Sequence, residues 1–150
     1  MNQVQELYQQ MILDHGRNPR NFEVDPKATH IKEGINPLCG DKLKVYLQVK
    51  DNIVVSAKFH GEGCAISMAS ASLMCEELKG YTVEEFDKYF DLFHALVTKG
   101  CKDAYEQLKD SKLFVMKGVS EFPMRVKCAT LAWHATRSAL HSLDDRVSTE

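Results

Sequence analysis

Three thiols and one carboxylate in this sequence stand where the backbone could turn them toward a common point. Asn36-Pro37-Leu38-Cys39-Gly40-Asp41 carries a cysteine and an aspartate two residues apart in a stretch that reads as a tight turn. Pro37 fixes one backbone angle, and Gly40 can take angles closed to other residues, so Cys39 and Asp41 can both be aimed inward. Cys64 ends Gly61-Glu62-Gly63-Cys64, at the junction of a strand-like and a helix-like run, and Cys128 sits early in the helix-like run after Phe122-Pro123. Three sulfurs and one oxygen make four ligands, the coordination number of zinc. Thiolate is the soft ligand that selects zinc or iron-sulfur chemistry over magnesium or calcium. No Cys-x-x-Cys pair occurs, so spacing alone does not establish a site, and a free cysteine is otherwise a common core residue. What sets these three apart is a glycine or proline close by at an element boundary. Cys75 falls inside the helical pattern Ile66, Ala69, Leu73, Leu78 and reads as a small core residue. Cys101 follows Gly100 and has no partner near it in sequence.

The elements that must position these groups follow from the period of the apolar residues. Val4, Leu7, Tyr8, Met11 and Ile12 recur at helical spacing up to Asp14-His15-Gly16, with Asn18-Pro19 as a stop. His15 reads as a cation complementing the C-terminal end of that helix. From Ala28 to Gly61 the period changes to two: Leu43, Val45, Leu47 and Val49 alternate with polar residues and Asp51-Asn52 makes a turn. Ile53 to His60 runs back with Val55, Ala57 and Phe59 on one face. Thr29 to Ile35 supplies a third strand, which puts the Cys39 turn and Cys64 at the same edge. Cys64 opens a helix running to Lys79-Gly80, whose Ala and Ser residues suit close packing on the sheet. Thr82-Val83-Glu84-Glu85 has the form of a capping box, followed by a core stripe of Phe86, Tyr89, Phe90, Phe93 and Leu96. A short helix is expected at Asp103 to Leu108, and Pro123 starts a last long helix to about Leu143. His134 lies six residues from Cys128 and so on a different face of that helix. The fold class is α+β: a small three-stranded antiparallel sheet with helices packed on it and the metal site at one end, all in a single domain over residues 1–150.

Composition narrows the function classes. The net charge is −2, and no run of Lys and Arg interleaved with aromatics appears, which gives no support for nucleic-acid binding. No apolar stretch approaches membrane-spanning length. Five cysteines, an odd number, without a signal peptide imply a reducing, cytoplasmic location in which thiols stay free for metal or sulfur chemistry.

The motifs Asn36-Pro-Leu-Cys-Gly-Asp41, Gly61-Glu-Gly-Cys-Ala-Ile-Ser-Met-Ala-Ser-Ala-Ser72 and Arg125-Val-Lys-Cys-Ala-Thr-Leu-Ala-Trp-His134 resemble the three cysteine motifs of the U-type iron-sulfur cluster assembly proteins, the NifU N-terminal/IscU family. The resemblance covers nearly the whole chain. Two details point to the SUF-system SufU branch. Lys127 stands where the housekeeping scaffold branch carries a histidine, and a long segment, about Tyr81 to Lys99, separates the second and third motifs. The resemblance implies a zinc-dependent sulfur acceptor. In it Cys39 takes persulfide sulfur from a PLP-dependent, SufS-like cysteine desulfurase for delivery to a downstream SUF scaffold, and the Arg125 and Lys127 motif faces the desulfurase. Such a protein is a sulfurtransferase-like accessory as much as an enzyme. Two alternatives stay open: a scaffold in which Cys39, Asp41, Cys64 and Cys128 hold a [2Fe-2S] cluster, and an adaptor with purely structural zinc. A mixed carboxylate shell is more labile than an all-sulfur one, which favours transfer chemistry over a structural role.

Overall fold

The computed structural model describes residues 3–98, 101–141 and 147–149. The elements are α1 (Gln3–Arg17), β1 (His30–Asn36), β2 (Asp41–Lys50), β3 (Ile53–Glu62), α2 (Ala65–Leu78), α3 (Val83–Thr98), α4 (Lys102–Leu108), a 3-10 helix (Lys112–Glu121), α5 (Pro123–Leu140) and β4 (Val147–Ser148). The end of the last helix expected near Leu143 lies outside the described residues. No helix among those described is long and apolar enough to cross a membrane.

The alternating run folds as the expected hairpin. Asp51 and Asn52 both take positive φ, 53° and 64°, the turn that matches the natural twist of two antiparallel strands. β1 pairs antiparallel with β2 and β2 with β3, giving the expected three-stranded sheet. β4 adds two residues in parallel beside β1, a short edge that no pattern in the sequence announces. One detail of the predicted face differs. Gln48 pairs with Ser56 and Val49 with Val54, so Val55 is the extra residue of a bulge. Val55 therefore points to solvent, and Val54 takes the buried place beside Ala57 and Phe59.

α5 packs across β1 and β2, α2 packs on β3 and α5, and α1 packs on α2. The capping box is formed in full: the Thr82 N–H donates to Glu85 Oε1 at 3.0 Å, and the Glu85 N–H to Thr82 Oγ1 at 3.1 Å. Phe86, Phe90, Phe93 and Leu96 of α3 are buried, and Phe86 and Phe93 both stack on Trp133 of α5 at 5.8 Å and 4.3 Å. The Trp133 N–H reaches Ser70 Oγ at 3.2 Å, and Ser70 in turn donates to the Ala129 carbonyl at 2.6 Å. The serines of α2 are thus fastenings between helices as well as small residues against the sheet.

His15 does not serve as a helix-end cation. It is 3% exposed, and its Nδ1 lies 2.7 Å from Ser72 Oγ. Ser72 Oγ also accepts the Arg20 N–H at 2.8 Å, so one hydroxyl joins His15 and Arg20 to α2. Burial holds the His15 pKa below its usual value.

His134 is on a different face from Cys128, as its spacing requires, and packs against Phe90, His94 and Arg137. Burial, reinforced by the Arg137 and His94 charges, pushes its pKa down from 6.5 to about 4. A group that stays neutral in the fold and titrates higher when unfolded leaves stability intact above pH 6.5 and removes it as pH falls toward 4. The loss attributable to His134 is on the order of 3 kcal/mol. Denaturant titrations of the metal-free chain between those pH values should show it, and His134→Gln should flatten the slope. An identical slope in the variant rules out this origin.

Candidate metal centre

The end of the sheet assembles the candidate ligands from four segments. Asn36 ends β1 and pairs with Asp41, which begins β2. Between them the Cys39 N–H closes the turn onto the Asn36 carbonyl at 3.2 Å, and Gly40 takes φ 72°, the left-handed conformation anticipated for it. β3 runs directly to Cys64, the N-cap of α2, whose Sγ accepts the Ser67 N–H at 3.5 Å. Cys128 lies in the second turn of α5 and is 3% exposed.

Cys39, Asp41 and Cys128 come together: one ligand atom from each lies within 4.8 Å of the others. Cys64 stands beside this trio. Its N–H donates to Asp41 Oδ1 at 2.8 Å, while its sulfur serves the α2 cap. Burial is the first cause that pushes the Cys128 thiol far above the ordinary cysteine range, followed by the neighbouring Asp41, Cys39 and Cys64 side chains. A bound cation reverses that preference by stabilising thiolate.

Asp41 supplies the observation that tests whether a metal fits. It is 2% exposed, and Cys64 occupies Oδ1, while Oδ2 is buried with no hydrogen-bond partner among the described residues. A buried carboxylate oxygen left bare is costly unless a cation takes it. Two soft sulfurs and a hard oxygen on converging elements, with a third sulfur adjacent, fit zinc.

The remaining candidates sort clearly. Arg125 is exposed and its guanidinium lies 4.4 Å above the Phe122 ring, while Lys127 is half-buried. Cys75 is buried in the core, where desolvation pushes its thiol up to about 12, as expected of an inert packing residue. Cys101 is half-buried at the N-cap of α4 and makes no side-chain cap. Two roles were not visible in the sequence. Gly63, read as a boundary signal, lies so near Asp41 that a Cβ there would meet Oδ1 at 2.7 Å. Asn36, read as a turn residue, places Nδ2 3.6 Å from Cys128 Sγ.

Comparisons with known proteins give the family. Residues 7–129 match the family model of the NifU-like N-terminal domain. The zinc-dependent sulfurtransferase SufU of Bacillus subtilis is 40% identical over 129 residues, covering 86% of each chain. The iron-sulfur cluster assembly scaffold protein IscU of Thermotoga maritima is 37% identical over 137 residues, covering 91% of this chain and 94% of its own. The crystal structure of FiSufU from Fervidobacterium islandicum AW-1, named as a candidate iron-sulfur cluster assembly scaffold for the SUF system, superposes with a TM-score of 0.77 at 28% identity. That superposition covers 87% of this chain and 93% of FiSufU. With the three motifs meeting at one end of the sheet, the chain belongs to the NifU N-terminal/IscU family of U-type iron-sulfur cluster assembly proteins.

Proposed function

We propose that this chain is a zinc-dependent sulfur acceptor of the SufU type, serving iron-sulfur cluster assembly in the cytoplasm. The observation that carries the reading is the bare, buried Asp41 oxygen beside converging thiols. The likeness to the B. subtilis sulfurtransferase supports it. Cys39, Asp41, Cys64 and Cys128 would hold the ion, which when bound keeps the thiols deprotonated and ties the Cys39 turn to α5. Cys39 is the acceptor: Cys128 is enclosed, and Cys64, half-buried like Cys39, has its sulfur engaged in the α2 cap. Its thiolate attacks the terminal sulfur of a persulfide on a PLP-dependent, SufS-like cysteine desulfurase. The sulfur–sulfur bond to the desulfurase cysteine breaks, that cysteine leaves as thiolate, and Cys39 carries the persulfide with no net oxidation. A SUF scaffold then receives the sulfur.

The rim suits docking of such a partner. Leu38, next to Cys39, is 62% exposed, and Phe122 and Met124 at the start of α5 are 45% and 46% exposed. Arg125, stacked on Phe122, offers a planar fork to a partner carboxylate, with Lys127 one turn from the N-terminus of the same helix. The alternative of a cluster scaffold draws on the T. maritima relative. Lys127 weighs against it, since an ammonium replaces the imidazole that could ligate iron. Metal analysis of the chain purified without added iron distinguishes zinc from a cluster.

The test is persulfide mapping by mass spectrometry after incubating the zinc-loaded chain with desulfurase and cysteine. The extra sulfur is expected on Cys39 and is lost in Cys39→Ala, while Cys75→Ala and Cys101→Ala retain it. Arg125→Ala should keep its zinc and lose stimulation of the desulfurase. Label accumulating on Cys101 overturns the assignment.

A further inference from the structure

Asn36 touches two of the proposed ligands in different ways. Its main-chain carbonyl accepts the Cys39 N–H at 3.2 Å, and its fully buried side chain directs Nδ2 at Cys128 Sγ, 3.6 Å away. An amide N–H can only donate, so this orientation matches a sulfur that accepts, as a metal-bound thiolate does. The same orientation leaves Asn36 Oδ1 buried without a partner among the described residues. An amide held at such a disadvantage is held there by what its nitrogen does.

The three thiols are served unequally. Cys128 has the Asn36 amide, and Cys64 has the Ser67 main-chain N–H at 3.5 Å. No N–H donor reaches Cys39 Sγ among the described residues. A hydrogen bond to a thiolate withdraws charge from the sulfur, fixes its orientation and lowers its nucleophilicity, as outer-shell donors do at metal sites generally. We infer that Asn36 is a positioning residue that ranks the thiolates: it pins Cys128 as the ligand that stays and so leaves Cys39 as the one that departs and reacts. The inference rests on the reading of Cys39 as sulfur acceptor at a zinc centre.

The experiment uses the full chain loaded with cobalt(II) or zinc, as wild type, Asn36→Leu and Asn36→Asp. Removing the donor should move the sulfur-to-cobalt charge-transfer band to lower energy. It should also speed zinc transfer to a chromogenic chelator by about tenfold, the low end of outer-shell effects. A residue that merely supports the fold would change the melting temperature without moving the band. A band at the wild-type position in both variants overturns the inference. The wild type provides a measurement that needs no variant to fold. In the cadmium-113-loaded chain, scalar coupling between the metal and the Asn36 side-chain amide proton is expected across the N–H···S bond, and its absence overturns the inference equally. If the wild type binds neither zinc nor cobalt, the metal-centre reading falls and takes this one with it; if it binds both and only these signatures are missing, the Asn36 role alone falls.

Discussion

Stripping the metal from the purified chain is expected to lower its melting temperature by about 10 °C. An ion held at a thousand times its dissociation constant contributes about 4 kcal/mol to a fold that binds it only when native, and a chain of this size shifts by about 2–4 °C per kcal/mol. The ligands explain why the coupling to folding is strong. Asp41 opens β2, Cys39 lies on the β1–β2 turn and Cys128 lies on α5, so an ion held by the three would fasten the sheet's end to the helix across it. Without it, the Asp41 carboxylate keeps a buried oxygen with no partner among the described residues. Calorimetry before and after chelation, with metal loss verified by elemental analysis, gives the answer. Coincident transitions would remove the metal from any role in stability.

Gly61→Ala is expected to destabilise the chain by about 3 kcal/mol or more and to weaken metal binding as well. Gly61 sits at φ 144°, where L-residues are strained, and a Cβ there would lie 2.1 Å from the Lys42 carbonyl oxygen of the neighbouring strand. Backbone cannot yield as a flexible side chain can, so β2 and β3 must separate at this end. That is where Asp41 Oδ1 receives the Cys64 N–H. Chemical denaturation measures the first effect and competition with a zinc chelator the second. Gly118→Ala, with open space at its Cβ position, is the matched control and should show neither. A Gly61→Ala chain melting within experimental error of wild type would refute the clash.

Where residues signal through local chemistry, sequence and structure agree closely. Asp51-Asn52, Thr82 with Glu85, Pro123 and the Gly40 turn each carry their own backbone requirement, and each appears where its residue type demands. The departures arise where a distant partner decides. Val55 alternates correctly in its own strand, but a bulge opposite Gln48 and Val49 turns it outward. His15 ends a helix, yet its surroundings are set by Ser72, Arg20 and Glu76 from elsewhere in the chain. The 3-10 helix at Lys112–Glu121 has no 3.6-residue stripe to announce it, and β4 is too short to show a period. At the candidate metal centre, the meeting of Cys39, Asp41 and Cys128 was legible from cysteines and an aspartate beside glycine and proline. The supporting amide of Asn36 was not, because the sulfur it serves is 92 residues away in the chain.

The stacked rings around Trp133 have an optical consequence. The chain contains one tryptophan, so its indole emission arises from a single place: a ring stacked with two phenylalanines, with its N–H on Ser70. That place is on α5, about one and a half turns beyond Cys128 along the same helix. The protein therefore carries a built-in fluorophore that reports the packing of α5 against α2 and α3, and filling of the candidate metal centre is expected to register in its emission without attaching a dye.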